Sequence, residues 1–153
     1  MTDEAEEWSG LPEDAAAFVQ AYIEREHGYL SWLGTEVETL EPGRAVMTIP
    51  YDEKLTNTTN PPTVHGGIAA TLIDTAGGLA VRTALEEPVG AGVATIDLNV
   101  SYLRPARGDL VADASVVRVG STVGVAEVSV TAEEPDGDTE EVAVGRGSFR
   151  IFN

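Results

Sequence analysis

The segment from His65 to Thr83 is the most apolar stretch of the chain, and it narrows the possible folds more than any other feature. It reads HGGIAATLIDTAGGLAVRT, and Asp74 is the only charged residue between Gly66 and Val81. Its apolar side chains recur at helical spacing and cover more than one face, which indicates a helix buried on several sides. The rest of the chain must therefore wrap around one central helix.

The remaining pattern predicts a first helix and then strands. The helix is expected from Pro12 to His27, with Gly28 as its stop, because a proline and two carboxylates open it. A polar loop over residues 51–64 precedes the central helix. The predicted strands are Leu33–Leu40, Ala45–Ile49, Val93–Leu103, Leu110–Val119, Val123–Thr131 and Val142–Phe152. Because the connections after the central helix are short, the sheet is expected to be antiparallel and the class α+β.

Length and residue usage bound the remaining possibilities. The chain has 153 residues, which favours one domain, expected over residues 12–153 after an acidic, flexible segment over residues 1–11. It contains no cysteine, which excludes disulfides, thiolate metal sites and a cysteine nucleophile. Only two histidines are present, so we expect no metal site.

Acidic residues outnumber basic ones 26 to 9, giving a formal net charge of −17. Repulsion of this size works against the compact state unless salt screens it. We therefore interpret the composition as adaptation to a saline, halophilic cytoplasm; a merely acidic protein is the alternative. The sequence contains no basic cluster for nucleic acid or anionic lipid, and no apolar run near the ~20 residues of a membrane helix. We expect a cytoplasmic protein without nucleic-acid or membrane partners.

The start of the central helix is the first candidate for chemistry. Free backbone N–H groups and the positive end of the helix dipole meet at His65, Gly66 and Gly67. Such a place suits a carbonyl oxygen that gains negative charge, as in an oxyanion hole; glycine for packing alone is the alternative. Further along the helix, Gly77 and Gly78 are expected to let neighbouring backbones approach closely.

Asp74 is the second candidate. It lies nine residues after His65, which puts the two about 13–14 Å apart along the helix axis and on opposite sides. They cannot share one site within one helix, but two antiparallel copies of the helix could bring them together. A carboxylate in so apolar a helix is interpreted either as a general base or nucleophile, or as a side chain hydrogen-bonded by Thr71 or Thr75.

Two stretches of the sequence resemble a known family. VHGGIAATLIDTAGGLAV and TIDLNVSYLRPARGDLVADASVVRVG are similar to the hotdog-fold acyl-CoA thioesterases of the phenylacetyl-CoA-thioesterase-like (PaaI-like) branch. The resemblance runs from about Glu36 to Phe149. It implies a hotdog fold, with a long antiparallel sheet wrapped around a central helix and an extra N-terminal helix here. It also implies a homodimer, joined sheet edge to sheet edge, as the smallest active unit, and a homotetramer of two such pairs.

The resemblance also implies a role for each motif residue. The backbone N–H of Gly67, helped by Gly66, would polarise the thioester carbonyl. His65 would position that backbone and hydrogen-bond the thioester. Asp74 of the partner chain would activate water or attack the acyl carbon, and the Thr95 hydroxyl would orient the water.

The loop before the helix departs from the family pattern. The family has an asparagine six residues before the histidine, where this chain has Thr59. Asn60 is our expected equivalent, through a loop shortened by one residue, and Asn57 is the other candidate for contact with substrate. Arg104 and Arg107 would form a cationic rim near the coenzyme A phosphates; two solvated arginines are the alternative.

The expected function is hydrolysis of an acyl- or aryl-acyl-CoA thioester to the free acid and coenzyme A. No cofactor is expected, since coenzyme A belongs to the substrate. A non-catalytic acyl-CoA-binding or regulatory protein, and a purely structural dimer, are the alternatives.

Overall fold

The computed structural model describes residue 11, residues 13–88 and residues 90–152. Its elements, in chain order, are α1 (Ala15–Glu26), α2 (Gly28–Trp32), β1 (Glu36–Glu41), β2 (Arg44–Ile49), a 3-10 turn (Glu53–Leu55), α3 (Gly66–Thr83), β3 (Gly92–Tyr102), β4 (Leu110–Val119), β5 (Val123–Glu133) and β6 (Thr139–Phe152). The six strands form one antiparallel sheet in the order β1-β2-β4-β5-β6-β3. The predicted α+β class is confirmed.

Helix α3 is the centre of the fold. It contacts all six strands, and its Leu72, Ile73, Ala76 and Ala80 side chains are fully buried. The predicted central helix is confirmed, with His65 as its N-cap residue. Burial on several faces explains why the segment has so few polar residues, because each would lose its hydration without a partner.

Glycines on the sheet make room for this helix. A Cβ added at Gly124 would lie 2.6 Å from Cγ1 of Val81, and one at Gly145 would lie 2.9 Å from Cγ2 of Ile73. Both distances are too short for carbon atoms in contact. The inner face of β5 and β6 therefore carries no side chain at the two points where Val81 and Ile73 of the helix pack against it.

The ring of Phe149 fills the space left by three further glycines. A Cβ at Gly77 or Gly78 would lie 3.2 or 3.3 Å from this ring, and one at Gly147 only 2.6 Å. The expectation that Gly77 and Gly78 admit neighbouring backbone is therefore wrong, since the group that approaches them is an aromatic side chain of β6. Phe149 is 1% exposed and closes the core at this end.

Replacing Phe149 by Leu is expected to lower the free energy of unfolding by about 1–2 kcal/mol, because leucine leaves part of the space beside the three glycines empty. Chemical denaturation monitored by circular dichroism measures this change. Phe152→Leu on the same strand is the matched control, since Phe152 is 51% exposed and should cost less than about 0.5 kcal/mol. Equal losses for both variants would contradict the packing role of Phe149.

The N-terminal helical region differs from its prediction. Helix α1 begins at Ala15, and Pro12 lies outside the described residues. A second short helix, α2, lies between α1 and β1, where the sequence predicted no element. Its first residue is Gly28, and the Nδ1 atom of His27 accepts a hydrogen bond from the N–H of Leu30 at 3.2 Å. His27 thus caps α2, and Gly28 does not adopt the positive φ typical of a glycine helix stop.

Strand β3 is the outer strand at one side of the sheet, opposite β1. Ten of its 11 residues pair with β6 along one edge, and no described strand pairs with the other. Most of its side chains are exposed, including Ile96, which is 57% exposed and lies at a register shift between Thr95 and Asp97. A long, unpaired edge of this kind is a template for a strand of another chain.

Candidate active site

The start of α3 has two backbone donors with partners and one without. The Nδ1 atom of His65 accepts a hydrogen bond from the N–H of Gly67 at 2.8 Å, and the N–H of His65 itself donates to the Leu55 carbonyl at 2.8 Å. Within the described part of the chain, the N–H of Gly66 donates to nothing. Gly66, rather than Gly67, therefore has the donor available for a substrate oxygen, which corrects the expected order of the two glycines.

Tyr102, at the end of β3, holds the first peptide of α3. Its hydroxyl donates to the Gly66 carbonyl at 2.7 Å, and its ring lies 3.1 Å from where a Cβ of Gly66 would be. This close aromatic contact explains why a glycine suits the position. Tyr102 was not predicted as a site residue, because nothing local to its strand indicates a bond to a residue 36 positions earlier.

A second aromatic residue contacts the helix one turn later. The Thr71 hydroxyl donates to the Gly67 carbonyl at 2.9 Å, and the Tyr29 hydroxyl lies 2.7 Å from the same Thr71 oxygen. Since Thr71 has only one proton to donate, Tyr29 is the donor in that pair. Thr71 therefore does not bind Asp74, and the alternative in which it caps this carboxylate is wrong.

Asp74 has a different partner. Its Oδ1 atom accepts a hydrogen bond of 2.5 Å from the hydroxyl of Thr95 on β3. Both line a cavity of about 540 Å³ between α1 and α3, floored by β3 and the ring of Phe149. Asp74 is half-buried there, so its carboxylate keeps access to the cavity. Asp74 and Thr95 thus lie together in the structure, whereas the sequence linked them only through the family resemblance.

The start of α3 faces a separate cavity of about 380 Å³. His65, Gly66, Asn57 and Arg104 all line it, and it shares no lining residue with the Asp74 cavity. The candidate residues of one chain therefore form two half-sites at different places along α3. This agrees with the separation calculated from helix geometry.

The loop residues contribute unequally. Asn57 closes the loop through its backbone N–H, which donates to the Thr63 carbonyl at 2.8 Å, while its side chain makes a long contact of 3.4 Å with the Thr63 hydroxyl. Asn60 is exposed and lines neither of these two cavities. The structure therefore puts Asn57 beside the helix start, where the sequence analysis expected Asn60.

The proposed cationic rim is also uneven. Arg104 lines the cavity at the start of α3, but an ion pair of 3.4 Å with Glu140 offsets its charge. Arg107 is exposed and lines neither half-site, as a solvated arginine would.

Among residues 13–88 and 90–152, no three histidine or acidic side chains cluster closely enough to hold a metal ion. No helix in this part of the chain is long and apolar enough to cross a membrane.

A helix enclosed by one antiparallel sheet, with a carboxylate and a glycine motif at separate points of that helix, is the arrangement of a hotdog hydrolase. The Thioesterase superfamily model matches residues 62–138, and the chain belongs to that superfamily. Its fold is similar to that of a thioesterase family protein from Silicibacter pomeroyi, with a TM-score of 0.79 and 30% identity over 90% of this chain and 98% of that one. The predicted hotdog fold is confirmed.

Two relatives indicate the kind of reaction. A candidate esterase of Halobacterium salinarum is 67% identical over 143 residues, which cover 92% of this chain and 94% of that protein. A medium/long-chain acyl-CoA thioesterase of Escherichia coli is 32% identical over 114 residues, covering 67% of this chain and 74% of that protein. The predicted enzyme class, a thioester hydrolase, is confirmed. The site assignments, the domain boundaries, the cytoplasmic location and the salt adaptation stay predictions.

Proposed function

We propose that the protein is an acyl-CoA thioesterase of the phenylacetyl-CoA-thioesterase-like branch, which releases a free acid and coenzyme A. The observation that carries this proposal is the Asp74–Thr95 pair at the wall of a cavity whose other side chains are largely apolar. Such a cavity suits an acyl or aryl group with a reactive carbonyl at its polar end. The Escherichia coli relative, by its name, acts on medium- and long-chain acyl-CoA.

Asp74 supplies the basic group of the proposed reaction. Its Oδ1 atom is bound by the Thr95 hydroxyl, and its Oδ2 atom has no hydrogen-bond partner among the described residues. Oδ2 is therefore free either to accept a proton from water or to attack the acyl carbon. In the first route water forms the new C–O bond, the C–S bond breaks, and the proton taken by Asp74 passes to the leaving sulfur. In the second route the C–S bond breaks as Asp74 forms a mixed anhydride, and water then cleaves this anhydride, which releases the acid, regenerates the carboxylate and supplies the proton of the thiol.

The N–H of Gly66 supplies the electrophilic group. It stands at the positive end of the α3 dipole, and the His65 and Tyr102 contacts hold the adjoining backbone in place. Its task is to donate to the thioester oxygen as negative charge develops there. Arg104 and Asn57 lie beside it, where coenzyme A would enter.

A complete site requires Asp74 of one chain and Gly66 of another, because the two line separate cavities within a chain. The unpaired edge of β3 carries Thr95 and offers the surface for such a partner. The minimal unit of the proposal is thus a homodimer, with a dimer of dimers as the complete assembly. No cofactor takes part, and the enzyme works in a saline cytoplasm that screens its charge of −17.

Thiol release from a panel of coenzyme A thioesters tests the proposal directly. Phenylacetyl, benzoyl and short- to medium-chain esters are incubated with the enzyme in molar KCl, and free thiol is measured with a chromogenic disulfide. We expect turnover of at least one ester class. A folded, oligomeric protein that releases no thiol from any ester would contradict the proposal and favour the non-catalytic binding protein.

A further inference from the structure

The cavity that contains Asp74 also contains an arginine. Asp74, Gly78 and Arg82 follow one another at four-residue spacing, which puts them on one face of α3, and all three line this cavity. Helix geometry separates Asp74 and Arg82 by about 12 Å along the axis. The cavity therefore has a carboxylate at one end of the helix face and a guanidinium at the other.

Most of the donors of Arg82 are unused. Its Nη1 atom donates to the carbonyls of Pro88 and Ala91, at 2.8 and 2.7 Å, which fixes the guanidinium against the segment after α3. The Nε and Nη2 atoms donate to nothing within the described residues, and no carboxylate there lies within ion-pair distance. Since a guanidinium carries five N–H donors, three remain for a ligand.

The guanidinium is also partly removed from water. Burial lowers the pKa of Arg82, and nearby Tyr22 opposes that change. The group stays charged at neutral pH all the same, because an arginine does not lose its proton in a protein. A half-buried cation without a counterion favours an anionic ligand.

The two helices fix which residues accompany Arg82. The interaction with Tyr22 puts that part of α1 beside Arg82, whereas the Tyr29 contact with Thr71 puts the end of α1, with His27, nearer to Asp74. Between these ends the lining is largely apolar, with Ile23, Leu79 and Phe149 among its members. An apolar middle and a cationic end match a methylene chain that terminates in an anion.

We propose that Arg82 binds a carboxylate at the distal end of the acyl group, so that the preferred substrates are coenzyme A monothioesters of dicarboxylic acids. This inference rests on the proposed acyl-CoA thioesterase activity and names its substrate class. The thioester lies at Asp74, the methylene chain crosses the apolar middle, and the free carboxylate accepts hydrogen bonds from Nε and Nη2 of Arg82. Arg82 is thereby a specificity-determining residue.

The test compares pairs of esters that differ only at the distal end. The value of kcat/KM is measured for suberyl-CoA against octanoyl-CoA, and for adipyl-CoA against hexanoyl-CoA, in the same molar KCl. We expect the wild-type enzyme to prefer the dicarboxylic member of each pair. In Arg82→Gln that preference should fall by about 10- to 100-fold, because a hydrogen bond to a charged group is lost. Arg82→Lys, which keeps the charge, should retain part of it.

Arg25→Gln is the matched control, because it removes the same charge from an exposed side chain of α1 whose one ion pair within the described residues is with Glu26. It should leave the ratio of the two ester activities unchanged. A wild-type preference for octanoyl-CoA overturns the inference. The inference is also overturned if Arg82→Gln lowers kcat/KM equally for both esters of a pair. That result would leave Arg82 only the structural role of holding Pro88 and Ala91 in place. If the enzyme hydrolyses none of these four esters and none of the other coenzyme A esters, the proposed function itself is overturned.

Discussion

Asp74→Asn should lower kcat for thioester hydrolysis by about 10²- to 10⁴-fold, the range that a positioned general base contributes. Asparagine keeps the size of the side chain and can still accept the hydrogen bond from Thr95, so the cavity wall should survive. It cannot take a proton from water or attack the acyl carbon. Thiol release under saturating substrate measures the loss, and size-exclusion chromatography checks that the oligomer persists.

Asp138→Asn provides the control for this variant. Asp138 is exposed in the turn between β5 and β6, so the substitution changes the net charge equally without touching the cavity. Its turnover should match the wild type. Near-normal turnover in Asp74→Asn itself would remove Asp74 from the proposed mechanism.

Gly66→Pro should lower kcat by about 10²- to 10³-fold, the usual effect of losing one oxyanion donor. Proline has no N–H, yet it is favoured at the first position of a helix, where that N–H has no helical partner. His65, with φ −57° and ψ 133°, already has the extended backbone that precedes a proline. The substitution thus removes the donor and leaves the helix start intact.

Gly66→Ala is the control that isolates the donor. Both variants place a Cβ against the Tyr102 ring, so both carry the steric cost of that contact, but alanine keeps the N–H. We expect Gly66→Ala to retain at least ten times the kcat of Gly66→Pro, within the range of that donor's contribution. Equal losses in the two variants would show that crowding of Tyr102, and not the missing donor, lowers the rate.

Mixing the two inactive proteins tests whether the site is shared. Subunits of Asp74→Asn and Gly66→Pro are exchanged in equal amounts, and each mixed dimer then contains one site with both native residues. With random exchange, about a quarter of all sites regain them, so about a quarter of wild-type activity should return. If exchange is demonstrated and no activity returns, the two residues do not belong to one composite site.

The local sequence pattern was sufficient to predict the elements whose apolar residues recur at a regular spacing. Strand β4 has the predicted bounds Leu110–Val119, and α3 differs from its prediction only in that His65 caps it. Helix α2 was missed because GYLSW is five residues long and has no helical period of its own. It forms because His27 caps it and Leu30 is buried in the core.

The candidate site was only partly predictable for a related reason. Asp74 and the glycine motif are conspicuous along the chain, since each is unusual in an apolar helix. Tyr102 and Arg82 gain significance only through atoms far away in sequence or on a neighbouring segment, such as the Gly66 and Ala91 carbonyls. Composition says nothing about such contacts, and helix geometry alone does not say which strand supplies them.

The hollowed sheet beneath α3 links sequence change on the helix to sequence change on the strands. Val81 occupies the space above Gly124, whereas a Cβ at Gly145 would meet both Ile73 and, at 2.5 Å, the backbone oxygen of Asn99. A larger residue at Gly124 is therefore tolerable only if Val81 becomes smaller, because dense interiors accept exchanges that conserve volume. Substitutions at such contacts are therefore expected to occur in coupled pairs, in which one side chain gains the volume that the other loses.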